Sequence, residues 1–367
     1  MAFNTTRVGA PIDEIETPAL LIDLDKFEAN IERMARFFEG VTANLRPHAK
    51  THKTPIIAHK QIAAGAHGIT CAKLSEAEVM AKAGIRDILI ANQIIGESKI
   101  LRLMGLTRHT DIIVAVDNMQ NAQDLSDAAS ACKTTLNTII EVDVGMTRSG
   151  TRSLDDSVRL ARALSTLPGL RFRGIMGYEG HTVYIPDLEK RRAEASKANH
   201  LLVETRDAIV GSGMPVEIVS AGGTGTYDIA GTCPGITEIQ AGSYIMMDTK
   251  YQAVEGLRFE QALTLLATVI SRPTKDRAVL DVGLKGITKE FGMPTIKEIT
   301  GAEISHLSEE HAKVDLNNPS RDLKAGDKVE LIPSHCCTTI NLHDTYYGIR
   351  NGAVETVWDI AARGGFV

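Results

Sequence analysis

The sequence has few aromatic residues, few cysteines and no surplus of basic charge, and each shortage narrows the class of protein. Phenylalanine, tryptophan and tyrosine together make up 4% of the 367 residues, which is too little to mark out an aromatic specificity pocket. The formal net charge of −6 gives no case for nucleic acid or an anionic membrane as a partner. Five cysteines at irregular positions form no disulfide framework, so we expect a reducing compartment.

Long apolar segments are also missing. No apolar run approaches the roughly 18 residues that a membrane-spanning helix needs. The first residues, Met1 to Arg7, lack the apolar core of a signal peptide. From these two absences we expect a cytoplasmic protein with no membrane partner. The hydrophobic share of 43% over 367 residues is enough for a large core, and the length favours two domains or one barrel with an addition.

Short apolar runs alternate with helix-like segments through the first two thirds of the chain. Alternation of strand and helix predicts parallel strands, and eight such units favour a closed (β/α)8 barrel of the TIM type. A doubly wound open sheet is the alternative, but no Gly-x-Gly-x-x-Gly follows the first run. After about residue 255 the pattern changes to short strands without long amphipathic helices, which predicts an additional C-terminal, mostly antiparallel β domain. The eight runs are 19–22, 45–50, 68–71, 87–91, 111–116, 137–144, 170–177 and 215–220.

The ends of the predicted barrel strands carry residues suited to chemistry. In a barrel, the carboxyl ends of the strands build the active site. Lys50 ends the second run, and a desolvated lysine among other cations can attack a carbonyl and form a Schiff base. Arg148, after the sixth run, can bring a fixed charge to a ligand beside Gly145 and Gly150. The alternatives are an ordinary surface lysine and a surface ion pair between Arg148 and Asp143.

Two turns of small residues follow the last predicted barrel strand. Consecutive backbone N–H groups and hydroxyls suit a phosphate, and phosphate sites late in a barrel are common. The alternative is a glycine-rich turn that only reverses the chain. The first turn contains Gly222, Gly223, Thr224 and Gly225, and the second contains Gly242, Ser243 and Tyr244.

The seventh run ends in the segment from Tyr178 to Tyr184. His181 or Tyr184 can act there as an acid or a base. The alternative is that these rings only pack at the mouth of the barrel.

Metal-binding side chains occur together near the C-terminus, at His335, Cys336 and Cys337. The preceding run, 328–332, predicts a strand that enters a turn at Pro333. On an extended backbone, His335 and Cys337 face one way and Cys336 faces away. Two protein ligands leave room for water or substrate, as in a catalytic metal site. The alternative is a buried cysteine pair beside a core histidine.

A Schiff-base lysine, a phosphate-binding turn, an arginine and a metal pair together indicate pyridoxal phosphate (PLP), a phosphorylated aldehyde cofactor. With these features, the sequence resembles the fold-type III PLP enzymes, in particular the metal-activated D-threonine aldolases and D-serine dehydratases. The resemblance covers nearly the whole chain as an ordered set of modest motifs. They begin at residues 17–25, 46–50, 75–78 and 141–145, and continue at 222–225, 240–244, 333–335, 341–344 and 357–358.

The resemblance implies an alanine-racemase-like fold, with a barrel at 18–255 and a β domain formed by 1–17 and 256–367. It implies that Lys50 is the residue linked to PLP and that Arg148 lies against the cofactor ring. It also implies a homodimer and a small-molecule D-β-hydroxy amino acid as substrate. The two small-residue turns, with Tyr178, would hold the cofactor, and His335 and Cys337 would bind the divalent metal.

Two departures from the family pattern keep the reaction open. The aldolases, which the sequence resembles more closely overall, usually show His-x-Asp where this chain has His335-x-Cys337, as the dehydratases do. A thiolate ligand favours zinc over manganese or magnesium. The aldolases also place a histidine base where this chain has Tyr184, with His181 nearby but out of register.

Three functions therefore stay open. The first is retro-aldol cleavage of a D-3-hydroxy amino acid to glycine and an aldehyde. The second is loss of water to give a 2-oxo acid and ammonia, as in a D-serine or D-3-hydroxyaspartate dehydratase. The third is a PLP-binding protein without catalysis, against which the β domain and its metal pair argue. A metal-free racemase would leave His335 and Cys337 without a role.

Overall fold

In a computed structural model that describes residues 7–367, the chain divides into two compact units. The barrel unit consists of residues 32–50, 55–242 and 364–367. The β unit consists of the described residues up to Ile31 with residues 51–54 and 243–363. The sequence-based boundaries at 18–255 and at 1–17 plus 256–367 stay a prediction, and residues 1–6 lie outside the described part.

The described chain contains strands throughout and helices mainly before residue 250. None of the helices formed by residues 7–367 combines the length and the apolar character needed to cross a bilayer. The strands are β1 Ala19–Asp23, β2 Asn44–Leu45, β3 Ile69–Cys71, β4 Asp87–Ile90, β5 Asp111–Val116, β6 Leu136–Glu141, β7 Leu170–Met176, β8 Ile218–Ala221, β9 Glu238–Ile239, β10 Leu263–Thr274, β11 Arg277–Leu280, β12 Thr295–Ile296, β13 Ala302–Leu307, β14 Ala312–Leu316, β15 Lys328–Ile332, β16 Thr345–Arg350 and β17 Ala353–Asp359. The α-helices are α1 Leu24–Glu39, α2 Pro55–Ala63, α3 Leu74–Lys82, α4 Glu97–Leu106, α5 Met119–Ala131, α6 Leu154–Thr166, α7 Leu188–Gly211, α8 Tyr227–Gly231, α9 Thr249–Gln252 and α10 Cys336–Ile340.

The barrel unit is built on an eight-stranded parallel sheet in the order β2-β9-β8-β7-β6-β5-β4-β3. The sheet closes because the chain after β2 pairs with β3. The Ala49 N–H donates to the Thr70 carbonyl at 2.7 Å, and the Thr70 N–H donates to the Pro47 carbonyl at 2.9 Å. Apolar side chains such as Leu89, Ile113 and Ile139 form a buried cluster inside this sheet. The predicted (β/α)8 barrel is thereby confirmed, and the open doubly wound sheet is excluded.

The sequence predicts the number of barrel strands correctly but assigns the first one wrongly. Residues 19–23 form β1 of the β unit, where they pair with β10 and β16. The missing barrel strand is β9, a pair of residues between β2 and β8. A buried apolar run of five residues has the same appearance in either kind of sheet, so its position in the chain misled the prediction. A strand of two residues is too short to show any periodicity.

A buried ion cluster joins the short strands of the barrel. Arg46, which is 1% exposed, donates from Nε to Glu238 Oε2 at 2.7 Å and also pairs with Asp87. Glu238 in turn accepts from the Ser220 hydroxyl at 2.8 Å. Because a buried guanidinium is tolerated only when it is paired, these contacts fix the backbone just before Lys50.

The β unit is a nine-stranded mixed sheet. Antiparallel pairs predominate, and β1 with β16 is parallel. Its core includes Ile15, Leu21, Leu266 and Tyr347. The mostly antiparallel β domain is therefore confirmed. The sequence predicts strands at 263–270, 277–282, 329–332, 346–350 and 353–358, which correspond to β10, β11, β15, β16 and β17, whereas β12, β13 and β14 were not predicted.

Candidate active site

In the barrel unit, an aromatic ring has two cations beside it. Tyr178 follows β7, and Lys50 Nζ lies 5.5 Å from the centroid of its ring. Arg148 Cζ lies 5.9 Å from the same centroid. Lys50 is half-buried, and its backbone N–H donates to His48 Nδ1 at 3.4 Å. Three predicted site residues from different strand ends are therefore neighbours.

Arg148 is held by residues to which the sequence assigned no role. Its Nη2 lies 3.4 Å from Oε1 of the buried Glu141 at the end of β6. The other oxygen of Glu141 accepts from Gln93 Nε2 at 2.6 Å. The predicted surface pair of Arg148 with Asp143 is not the ion pair that the structure shows. Glu141 could have been proposed from the sequence, because it is an acidic residue at the carboxyl end of a predicted barrel strand.

The loop Gly222–Gly225 follows β8 and is completely buried. Gly222 has a φ of +79°, which favours glycine, and a Cβ on Gly225 would lie 1.9 Å from the Val183 carbonyl oxygen. The loop therefore needs glycine at both positions. Thr224, between them, is also buried.

Glu179 and Thr226 take up the first two N–H groups of this loop. Glu179 Oε2 accepts from the Gly222 N–H at 3.2 Å, and the Thr226 hydroxyl accepts from the Gly223 N–H at 3.1 Å. The same hydroxyl donates to Glu179 Oε1 at 2.6 Å. Burial raises the pKa of Glu179, although the hydrogen bonds from Thr226 and Gly222 oppose the shift. Glu179 lies within the predicted segment from Tyr178 to Tyr184, but nothing in the sequence pattern pointed to a role for it.

The two predicted acid–base residues differ in exposure. Tyr184 is half-buried, whereas His181 is exposed, and its ring lies over Gly145, where a Cβ would be 3.1 Å from His181 Cε1. Neither residue has a demonstrated role, so the base stays a prediction.

In the β unit, His335 is held by a buried carboxylate. His335 Nδ1 lies 3.0 Å from Asp248 Oδ2, and the same oxygen accepts from the Cys336 N–H at 3.0 Å. A carboxylate on Nδ1 orients the ring so that Nε2 is the atom that a metal would use. Asp248 lies 87 positions from His335, and no local pattern in the sequence connects them.

Cys337 lies among hydroxyl groups of the same unit. Its Sγ is 3.3 Å from Thr51 Oγ1 and 3.5 Å from Ser243 Oγ. Ser243, predicted to hold phosphate, thus contacts the predicted metal ligand. Gly242 is the last residue of its segment in the barrel unit, and the buried Tyr244 packs its ring 5.4 Å from that of Phe259.

The predicted orientation of Cys336 is wrong. His335 is extended, but helix α10 begins at Cys336, so the alternation of an extended backbone does not apply. The donor atoms of His335, Cys336 and Cys337 all lie within 4.8 Å of one another, and the two sulfur atoms are 4.0 Å apart. Burial raises the pKa of the Cys336 thiol.

Cys337 and His335 favour opposite charges. The hydrogen bond from Cys336 and the charge of His335 lower the pKa of Cys337 well below its ordinary value, although burial opposes them. Burial also lowers the pKa of His335, but the Cys337 thiolate and the Asp248 hydrogen bond outweigh it and raise this pKa to about 10. A thiolate and an imidazole are a donor set that suits zinc, and the ion would displace the imidazole proton on binding.

The residues fit both groups that the sequence indicates. The barrel unit offers a lysine beside an aromatic ring and a buried glycine loop whose backbone packs against that same ring. The β unit offers a thiolate and an imidazole with a carboxylate behind it.

Comparison with known proteins identifies the family. The model for the N-terminal domain of alanine racemase matches residues 22–250, and a model for a serine dehydratase domain matches residues 262–349. The D-threonine aldolase of an Arthrobacter species is 38% identical over 97% of this chain and 95% of its own. The chain belongs to the fold-type III family of PLP enzymes. The 3-hydroxy-D-aspartate aldolase of Paracoccus denitrificans (strain Pd 1222) is 37% identical over 97% of this chain and 94% of its own.

A solved aldolase structure and a dehydratase are also similar to this chain. The solved D-threonine aldolase of Filomicrobium marinum has a TM-score of 0.95 at 36% identity, over 99% of this chain and 100% of that one. The D-threo-3-hydroxyaspartate dehydratase of Delftia sp. (strain HT23) is 29% identical over 94% of this chain and 97% of its own. These family members are all lyases, and they include both reactions that the sequence left open.

Proposed function

We propose that the protein is a PLP- and divalent-metal-dependent lyase that cleaves the Cα–Cβ bond of D-3-hydroxy amino acids, giving glycine and an aldehyde. The observation that carries this choice is the likeness over nearly the whole chain to two aldolases, at 38% and 37% identity. The dehydratase relative reaches 29% over a similar length.

The barrel residues would hold and orient the cofactor. Lys50 is proposed as the attachment point, since its amine lies beside the Tyr178 ring with Arg148 at the same ring. Glu141 and Gln93 would hold the Arg148 guanidinium in place. The phosphate would be held by the buried Gly222–Gly225 loop and by Gly242. Ser243 and Tyr244, which belong to the β unit, stay predictions from the family resemblance.

The metal ligands are proposed to be His335 and Cys337, with Asp248 orienting the imidazole. Zinc is the favoured ion because of the thiolate, and manganese or magnesium are the alternatives. A cysteine-to-alanine variant of the D-threo-3-hydroxyaspartate dehydratase has been solved in a metal-free form. This supports the proposal that the Cys337 thiolate is a metal ligand in this chain.

When bound, PLP supplies an electron sink at Cα and the metal makes the substrate β-hydroxyl more acidic. In the aldolase reaction, the Tyr184 oxygen would take the β-hydroxyl proton, because retro-aldol cleavage begins with its loss. His181 is the alternative base. In a dehydratase, Lys50 would instead take the proton from Cα, and no second base would be needed.

The dehydratase is the second candidate, and one observation favours it. The metal pair is His335-x-Cys337 rather than the His-x-Asp of the aldolases that the sequence resembles. A non-catalytic PLP-binding protein is less favoured, because relatives along the whole chain are enzymes. By resemblance we also propose a cytoplasmic homodimer.

Product analysis with D-threonine decides between the reactions. The purified protein is reconstituted with PLP and with zinc or manganese, and the products are separated. Glycine with acetaldehyde is the expected result. 2-Oxobutanoate with ammonia would replace the aldolase with the dehydratase. Failure with D-threonine, D-serine and D-3-hydroxyaspartate alike would contradict the lyase proposal.

A further inference from the structure

A fully buried carboxylate stands beside the loop that is proposed to receive a dianionic phosphate. Glu179 is 0% exposed and directly follows Tyr178 at the end of β7. A negative charge so close to a phosphate site is unfavourable, and burial adds to the cost of ionising it. A buried carboxylate at such a position is tolerated when its hydrogen bonds hold the surrounding backbone in place.

The hydrogen bonds of Glu179 connect it to the Gly222–Gly225 loop. One carboxylate oxygen accepts from the Gly222 N–H at 3.2 Å, and the other accepts from the Thr226 hydroxyl at 2.6 Å. Thr226, also 0% exposed, accepts from the Gly223 N–H at 3.1 Å. The first two residues of the loop are therefore tied to one side chain, directly at Gly222 and through the Thr226 hydroxyl at Gly223.

The end of β7 contacts the same loop a second time. A Cβ on Gly223 would lie 3.1 Å from Tyr178 Cε2, so the ring packs directly on the backbone there. Tyr178 and Glu179 are consecutive residues, and one contacts the loop through its ring while the other does so through its carboxylate. The position of the loop relative to the Tyr178 ring is thus set by adjacent residues of one strand end.

We propose that Glu179, acting through Thr226, is a positioning residue that fixes the Gly222–Gly225 loop for the phosphate of the cofactor. By taking up the N–H groups of Gly222 and Gly223, Glu179 and Thr226 hold the loop backbone in place, and Glu179 does not itself contact the phosphate. The inference rests on the PLP binding of the proposed function and assigns roles to two residues that the mechanism does not use.

The distinguishing measurement compares PLP with pyridoxal, which lacks the phosphate but can form the same link to Lys50. Protein freed of cofactor is titrated with each compound, and binding is followed by visible absorbance. The variants are Glu179→Ala, Thr226→Val and Thr226→Ser. Thr138→Val is the matched control, because Thr138 is a 0% exposed barrel threonine that donates to the Arg171 carbonyl at 3.3 Å.

Glu179→Ala and Thr226→Val should weaken PLP binding about tenfold or more, as expected when a buried hydrogen bond is lost. Pyridoxal binding should change by less than about twofold, because it does not use the loop. Thr226→Ser keeps the hydroxyl and should bind PLP like the unaltered protein, as should Thr138→Val.

Equal losses for PLP and pyridoxal would overturn the proposal, since they would indicate general damage to the barrel. Unchanged PLP binding in Thr226→Val would overturn it as well. If Glu179→Ala does not fold, the two Thr226 variants decide the question alone. If the unaltered protein binds neither compound, the proposed function fails instead, so the two failures are distinguishable.

Discussion

The imidazole of the half-buried His335 and the carboxylate of the fully buried Asp248 form a pair, with Nδ1 3.0 Å from Oδ2. Asp248→Asn should lower zinc affinity about 10- to 100-fold, because the carboxylate orients the ring and makes it a better ligand. Asparagine still suits the N-cap of α9, where Asp248 accepts from the Tyr251 N–H, so the helix start is preserved. Competition with a coloured chelator measures the affinity, and an unchanged value would contradict the assignment.

Cys337 should determine which metal is preferred. Cys337→Asp is expected to weaken zinc binding and to improve activation by manganese or magnesium, because a carboxylate is a harder ligand than a thiolate. Cys132→Ser, at a free cysteine just after α5 in the barrel unit, is the matched control and should leave the metal profile unchanged. An unaltered profile in Cys337→Asp, or an equal shift in both variants, would show that Cys337 is not the selecting ligand.

Lys50 should be necessary for covalent binding of the cofactor. Lys50→Ala, mixed with PLP and then passed through a desalting column, should retain no visible absorbance, because the amine that forms the link is gone. Lys60→Ala on α2 removes another lysine from the same region and should keep the absorbance. Retention of the band in Lys50→Ala would mean that another lysine is used.

Tyr184 and His181 can be separated by their effect on rate. If Tyr184 is the base, Tyr184→Phe should reduce kcat for D-threonine cleavage about a hundredfold or more, without loss of PLP absorbance. His181→Ala should then have little effect, as expected for an exposed side chain. The reverse pattern would make His181 the base. Unchanged cleavage rates in both variants would show that neither residue is the base.

Glu179 should give the protein a specific dependence of stability on pH. Burial raises the pKa of this carboxyl above its ordinary value of 4.5. Below the ordinary pKa, the group is protonated in both states and its contribution to stability is fully present. As pH rises toward the raised pKa, the unfolded chain releases a proton that the folded protein retains, so the free energy of unfolding falls.

Glu179→Gln cannot ionise, so its stability should vary less over this range. Urea unfolding from about pH 4 to about pH 8 measures the difference between the variant and the unaltered protein. Parallel curves for the two proteins would indicate that the pKa of Glu179 is not raised.

The sequence predicted the barrel because strands and helices alternate over two hundred residues and each unit reinforces the pattern. It failed at Cys336, where two residues of apparent alternation were too few to show that a helix begins there. Lys50, Arg148 and Tyr178 could be found because each follows a strand whose end is recognisable. Asp248 could not, because its partner His335 is distant in sequence and only the folded β unit brings them together.

Strand β1 pairs with residues 263–266 on one side and with 346–349 on the other. During synthesis, this early segment leaves the ribosome long before either neighbour exists. Its apolar residues, Leu20 to Ile22, must therefore stay unpaired while more than two hundred further residues are added. We expect this interval to be when the nascent chain is most prone to aggregate, and when a chaperone that binds short apolar segments would help it most.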